Sequence, residues 1–181
     1  MVDKSKSIKS FLMQYFTERG NNDIEGIMSL HACYGGTAAL FNTVAWMQSD
    51  AWDGRLGIVI MTDIAVYEDG SSRSTGGAGS IALLIAPDAP LILEPIRSSH
   101  MFHEYDFYKP QMDSEYPTVN GASSVRSYLT SVTSCYKGLK SKHLQTLKHN
   151  MSLADYDQVI FHAPFYKQVK KAFLQLAYHD L

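Results

Sequence analysis

Two apolar runs constrain the fold most tightly. They are LGIVIMT at residues 56–62 and GSIALLIAP at 79–87, each of strand length and bounded by turn residues. Apolar runs of this length read as buried strands. Helical spacing is present nearby. Ile8, Phe11, Leu12, Tyr15 and Phe16 predict an amphipathic helix over 5–19, stopped by Gly20. YGGTAALFNTVAWMQS predicts a mostly apolar helix over 34–49, buried on most sides. Val125, Tyr128, Leu129, Val132, Tyr136 and Leu139 mark a long third helix. Pro164 opens a fourth, since proline is tolerated in a first turn.

Shorter apolar stretches complete the pattern. IEGIMSL, PLILEPIRSSH (bent at Pro95) and QVIFH are read as further strands. YDFYKPQMDSEYPTVNG has no period and is read as a long ordered loop, a kind of segment that is usually functional. Ser152 is placed as the polar cap of a short turn or helix. Buried strands separated by helices imply a layered α/β fold. No stretch of the chain reads as a linker.

The bulk numbers exclude more than they assign. A net charge of −2 over 181 residues offers no electrostatic footprint for nucleic acid or a membrane surface. No apolar run approaches the roughly 20 residues that cross a bilayer, and the N-terminal stretch lacks the apolar core of a secretory signal. Two cysteines, Cys33 and Cys135, cannot build a disulfide framework, so a reducing, cytoplasmic setting is expected.

Few residues can carry chemistry. Cys33 stands at an expected turn into a helix, followed by Gly35 and Gly36. Unpaired N–H groups at a helix start favour a thiolate, although free cysteine is also a common core residue. His162 ends QVIFH at a predicted strand terminus, where α/β folds place ligand chemistry, and it could equally cap the next helix. STGGAG lacks the strand-before, helix-after context of a dinucleotide fingerprint and is read as a tight turn. Lys167 and Lys171 share a helix face and could hold phosphates or simply be solvated. HMFH has two histidines without a further pair, so no metal site is expected.

Taken in order, ACYGGTAALFN, WDGR, DIAVY, STGGAG, YDFYKP, SEYPTVNG and IFHAPFYK resemble the hydroxymethylglutaryl-CoA synthase family, most closely its eukaryotic form. The resemblance runs from about Asp3 to Leu181. It implies part of a thiolase-like α/β/α fold: a single partial domain with the family's N-terminal region at about 1–90 and the start of its C-terminal region at about 91–181. It implies an acyltransferase that condenses acetyl-CoA with acetoacetyl-CoA, both of them substrates, with no resident cofactor. Cys33 matches the residue that takes the acetyl group as a thioester, and His162 the one that protonates the ketone oxygen. Ser71, Thr75, Ser124, Lys167 and Lys171 match substrate- and CoA-binding positions. Asp63 and Asp106 match supporting active-site acids. The family's proton-abstracting glutamate is expected upstream of the segment matching DKSKS, and a homodimer is expected for the full-length parent. A catalytically incomplete fragment that binds CoA or another subunit is the alternative reading, and an unrelated cysteine hydrolase using Cys33 with His162 is a third. His31 stands where the family usually has Asn; Ser71 and Asn120 are further departures.

Overall fold

The computed structural model describes residues 5–181. Asp3, where the resemblance begins, lies outside the described residues. The chain divides into two compact units. One gathers the chain up to Ile64 with Ala78–Leu91, and the other gathers Ala65–Gly77 with Ile92–Leu181.

The first unit contains α1 (Ile8–Thr17), α2 (Gly35–Met47) and nearly all of β1 (Gly57–Ala65) and β2 (Gly77–Ile85), which hydrogen-bond to each other. The first helix is shorter than its spacing predicts. Ser7 stays extended as its N-cap, and Gly20, at φ 75°, turns the chain left-handed just after it. Along β1, Gly57 and Val59 are buried and Met61 half-buried, whereas Ile58, Ile60 and Ile64 are exposed. That alternation puts Gly57, Val59, Met61 and Asp63 on one face.

Helix α2 lies along this face. A Cβ on Gly36 would stand 2.8 Å from Cγ of Met61, and one on Gly57 would run into Cγ2 of Thr43. Residues 36 and 43 therefore face 61 and 57, so helix and strand run in opposite senses. Close approach here requires glycine. Two expectations fail in this unit. Only one face of β1 is covered among the described residues, and α2 is mostly half-buried, with Gly35 its one buried residue. Covering the other face needs a second layer of structure.

The second unit packs α3 (Gly121–Leu147) against α4 (Tyr166–Tyr178). Its core is Tyr136, Met151 and Leu176, ringed by Val132, Leu139, Leu153 and Phe161. Asp180 ties the unit together. Its carboxylate accepts from the Tyr136 hydroxyl at 2.6 Å, from Nζ of Lys140 at 2.6 Å and from the Leu153 N–H at 2.7 Å. Ser152 precedes a 3₁₀ turn, Leu153–Asp155, and its N–H donates to the Asp155 carboxylate at 2.7 Å. The long loop is partly paired. Its residues Phe107–Tyr108 (β3) and Thr118–Val119 (β4) form an antiparallel ladder, with Phe107 opposite Val119.

Three predicted strands are not formed. Residues 24–30, 90–100 and 158–162 are irregular. A strand exists through its hydrogen-bonded neighbour, and none of the three has one among the described residues. Ile92 and Ile160 accordingly stand 83 % and 89 % exposed.

Candidate active site

Cys33 is carried by a tight turn that feeds α2. The N–H of Tyr34 donates to the His31 carbonyl at 2.9 Å, and that of Gly35 to the Ala32 carbonyl at 3.3 Å. Ala32 takes φ 40°, a left-handed value that costs a non-glycine residue about 1 kcal/mol. The His31 ring meets Tyr34 edge-on at 5.6 Å. Cys33 itself is exposed and free.

The electrostatics differ from the expectation of a favoured thiolate. Desolvation, and then the negative charge of Asp63, push the Cys33 thiol above its ordinary value. The N–H groups of Tyr34 and Gly35 bond to the His31 and Ala32 carbonyls, and the help that the Cys33 N–H gives a thiolate is outweighed by burial and by Asp63. Asp63 lies on the α2-facing side of β1, which brings the two residues within electrostatic reach. A thiolate raised in energy this way is scarcer but more nucleophilic, and its charge disappears when it forms a thioester.

The other matched residues belong to the second unit. Thr75 is half-buried in the 3₁₀ turn Arg73–Thr75, where its hydroxyl donates to the Ser72 carbonyl at 2.6 Å; Ser71, just before that turn, is exposed. Asp106 is half-buried beside a cleft of about 230 Å³ lined also by His100, Phe102, Glu104 and Ser127. Its carbonyl accepts from the Asn120 N–H at 2.8 Å. Ser124 is half-buried in the first turn of α3, its N–H bonded to the Asn120 carbonyl at 2.9 Å.

His162 is not at the end of a strand, because 158–162 pairs with nothing described. It sits on an irregular segment, with Pro164 one residue before the helix cap Phe165. The Tyr128 hydroxyl holds this segment by donating to the His162 carbonyl at 2.8 Å. On α4, Gln168, Ala172 and Leu176 form the buried face. Lys167 and Lys171 lie one position round from it, on one exposed stripe.

Sequence reasoning missed two supporting residues. Spacing places Tyr128 only in an apolar stripe, and nothing in it marks the hydroxyl. Asn120 is a departure from the resembled pattern and also the cap of α3, its Oδ1 accepting from the Ser123 N–H at 3.1 Å. An Asn five residues before the first apolar residue of a helical stripe, followed at once by Gly121, is the signal for it.

The comparisons agree on one family. The profile described as hydroxymethylglutaryl-coenzyme A synthase N terminal matches residues 1–90, and the one described as its C terminal matches 91–181. A hydroxymethylglutaryl-CoA synthase of Ganoderma lucidum is 51 % identical over 99 % of this chain and 40 % of its own length. The cytoplasmic enzyme of Homo sapiens is 50 % identical over 99 % of the chain and 36 % of its own length. The mitochondrial enzyme of Mus musculus is 47 % identical, over 37 % of its length. A solved structure of MvaS in complex with 3-hydroxy-3-methylglutaryl coenzyme A superposes with a TM-score of 0.84 at 30 % identity, covering 97 % of this chain and 43 % of that one. The chain thus spans about 40 % of the length of these relatives and shares the thiolase-like fold of its solved neighbours. With profiles for both regions of the enzyme laid end to end along it, the chain belongs to the hydroxymethylglutaryl-CoA synthase family.

Proposed function

We propose that this chain carries the acetyl-accepting chemistry of an enzyme that condenses acetyl-CoA with acetoacetyl-CoA to 3-hydroxy-3-methylglutaryl-CoA. The observation that carries the reading is Cys33, free and exposed on a strained turn at the start of α2, with Asp63 beside it. The Cys33 thiolate attacks the thioester carbonyl of acetyl-CoA, the carbon–sulfur bond to CoA breaks, and CoA leaves as its thiolate. The acetyl methyl then gives a proton to a carboxylate base, the glutamate expected upstream of the segment matching DKSKS, and its carbon adds to the ketone of acetoacetyl-CoA. His162 donates the proton that the new alkoxide takes up, and water frees the product from Cys33.

The remaining residues bind. Lys167 and Lys171 on α4 meet the CoA phosphates, with Ser71, Thr75 and Ser124 along the substrate and Asp106 supporting the condensation. The partners are therefore CoA thioesters, with a second copy of the parent protein as the expected subunit. The human relative is named cytoplasmic and supports that compartment for this protein too.

Incubation with labelled acetyl-CoA, followed by peptide mass analysis, tests the reading. Cys33 should gain one acetyl group and a Cys33→Ser chain none. A folded chain that is never acetylated at Cys33 sinks it. Titration with acetoacetyl-CoA tests the lysines: Lys167→Ala and Lys171→Ala should each weaken binding, and indifference to both removes their phosphate role.

A further inference from the structure

We propose that Asn120 and Gly121 form a self-modifying site, where the chain deamidates at the start of α3 and so resets the anchoring of Asp106 and Ser124. Of the five asparagines, Asn21, Asn22, Asn42, Asn120 and Asn150, only Asn120 is followed by glycine. Deamidation needs the next backbone nitrogen to reach the side-chain carbon Cγ, and glycine, with no Cβ, lets it approach. Asn120 is extended, at φ −97° and ψ 95°, and is not locked in helical geometry. Gly121 is exposed, a Cβ there would meet nothing within 4 Å, and its N–H has no acceptor among the described residues. It is one of the unsatisfied donors of a helix start. Oδ1 of Asn120 accepts from the Ser123 N–H at 3.1 Å, which draws electrons from Cγ, and the partial positive charge of the helix start favours a deprotonated nitrogen. The first turn has no acidic residue and begins with glycine, a weak helix former, so it opens for ring closure. By contrast, Asn42 lies inside α2, and Met151, which follows Asn150, is 1 % exposed.

The reaction balances with water alone. The Gly121 nitrogen gives its proton to a base in solution and bonds to Cγ of Asn120, ammonia leaves, and a succinimide ring closes. Water then opens the ring at one of its two carbonyls. Attack at Cγ leaves an aspartate. Attack at the backbone carbonyl carbon leaves an isoaspartate, in which the chain runs through Cβ and Cγ and is longer by a methylene. The two products act differently on the fold, because Asn120 anchors two candidate site residues. Its N–H donates to the Asp106 carbonyl at 2.8 Å, and its carbonyl accepts from the Ser124 N–H at 2.9 Å. Aspartate keeps both bonds and the cap, and adds a negative charge where a helix start favours one. Isoaspartate moves the carbonyl away from the Ser124 N–H and shifts the helix start against Asp106.

The test incubates the full chain at mildly alkaline pH and follows each asparagine by peptide mass, with isoaspartate counted by enzymatic methyl transfer. Asn120 should lose its amide several-fold faster than Asn21, Asn22, Asn42 or Asn150. Gly121→Ala, a substitution that suits a helix start, should slow the loss at Asn120 several-fold. An unchanged rate in Gly121→Ala overturns the site. So does an Asn120 that keeps its amide in the folded chain while the same chain unfolded in guanidinium loses it, a comparison that needs no variant. The two products, separated by chromatography, then report on the anchoring through hydrogen exchange. The aspartate form should keep the protection of the backbone amides at positions 120, 123 and 124, and the isoaspartate form should lose it several-fold. Equal protection in both forms overturns the effect on Asp106 and Ser124. Only the roles of those two residues rest on the function proposed above, since deamidation needs no CoA thioester. Failed acetylation of Cys33 beside normal deamidation of Asn120 would count against that function and leave this site standing.

Discussion

The hydroxyl of Tyr128 on α3 donates to the carbonyl oxygen of His162 at 2.8 Å, joining residues 34 apart in sequence. That bond stands in for strand pairing in holding the segment before α4. Tyr128→Phe should lower stability by about 1 kcal/mol in urea unfolding and move the NMR signals of the His162 ring. Unchanged signals and an unchanged urea midpoint would mean that the bond does not position His162.

Lys140 and Asp180 form the least exposed ion pair among the described residues, at 2.6 Å, with side chains 21 % and 15 % exposed. Removing the cation leaves a largely buried carboxylate with only Tyr136 and the Leu153 N–H. Lys140→Met should cost about 2 kcal/mol, measured by thermal or urea unfolding. A cost no larger than that of removing an exposed pair such as Arg73 with Asp69 would place the stabilisation elsewhere.

Acid should expose the same carboxylate. Burial alone would raise its pKa, but hydrogen bonds from Lys140, Tyr136 and the Leu153 N–H outweigh this and bring Asp180 down to about 2. A depressed carboxyl stabilises the fold above its unfolded value near 4 and loses that contribution as pH falls towards 2. The linkage is worth about 2 kcal/mol at neutral pH. Stability measured from pH 6 down to pH 3 should therefore fall less steeply in Asp180→Asn, which starts lower, than in the parent. Parallel curves would show that another group carries the acid sensitivity.

Asp63 opposes ionisation of Cys33, so Asp63→Asn should lower the alkylation midpoint of Cys33 and raise its rate at neutral pH. Cys135 is raised by burial, with no aspartate among its causes. It should not respond. Equal movement of both cysteines would point to a general loosening of the chain rather than to the removed charge.

Asn120 caps α3 through the Ser123 N–H. Asn120→Ala should cost about 1 kcal/mol, and Asn120→Asp, which keeps an acceptor, should cost little. Equal losses for both would show that the side-chain oxygen is not what stabilises the helix start.

Local patterns were legible where the chain alone sets the outcome. The Ile8–Phe16 spacing, the apolar stretch after Gly36 and the Val125–Leu139 stripe each mark a helix that formed, though the ends moved. Ser7 stayed extended, Lys148 adopted a left-handed cap at φ 55°, and Asn120 started α3 before its stripe begins. The strands at 56–62 and 79–87 also formed, because each finds the other as partner. Residues 24–30, 90–100 and 158–162 have comparable apolarity, but pairing is a property of a neighbour, and none was legible in their own residues.

By itself the sequence determined the family, through seven ordered motifs, the identity of the candidate nucleophile and the helix that follows it. Only the tertiary structure decided the state of that nucleophile. Period-two alternation turns Asp63 towards α2, the close seat of Gly36 on Met61 brings the helix start down onto β1, and burial there outweighs the help of the Cys33 N–H. Helix-start stabilisation of a thiolate is a local effect and could be read from the chain. The charge that opposes it comes from a residue 30 positions away, and only packing makes the two neighbours.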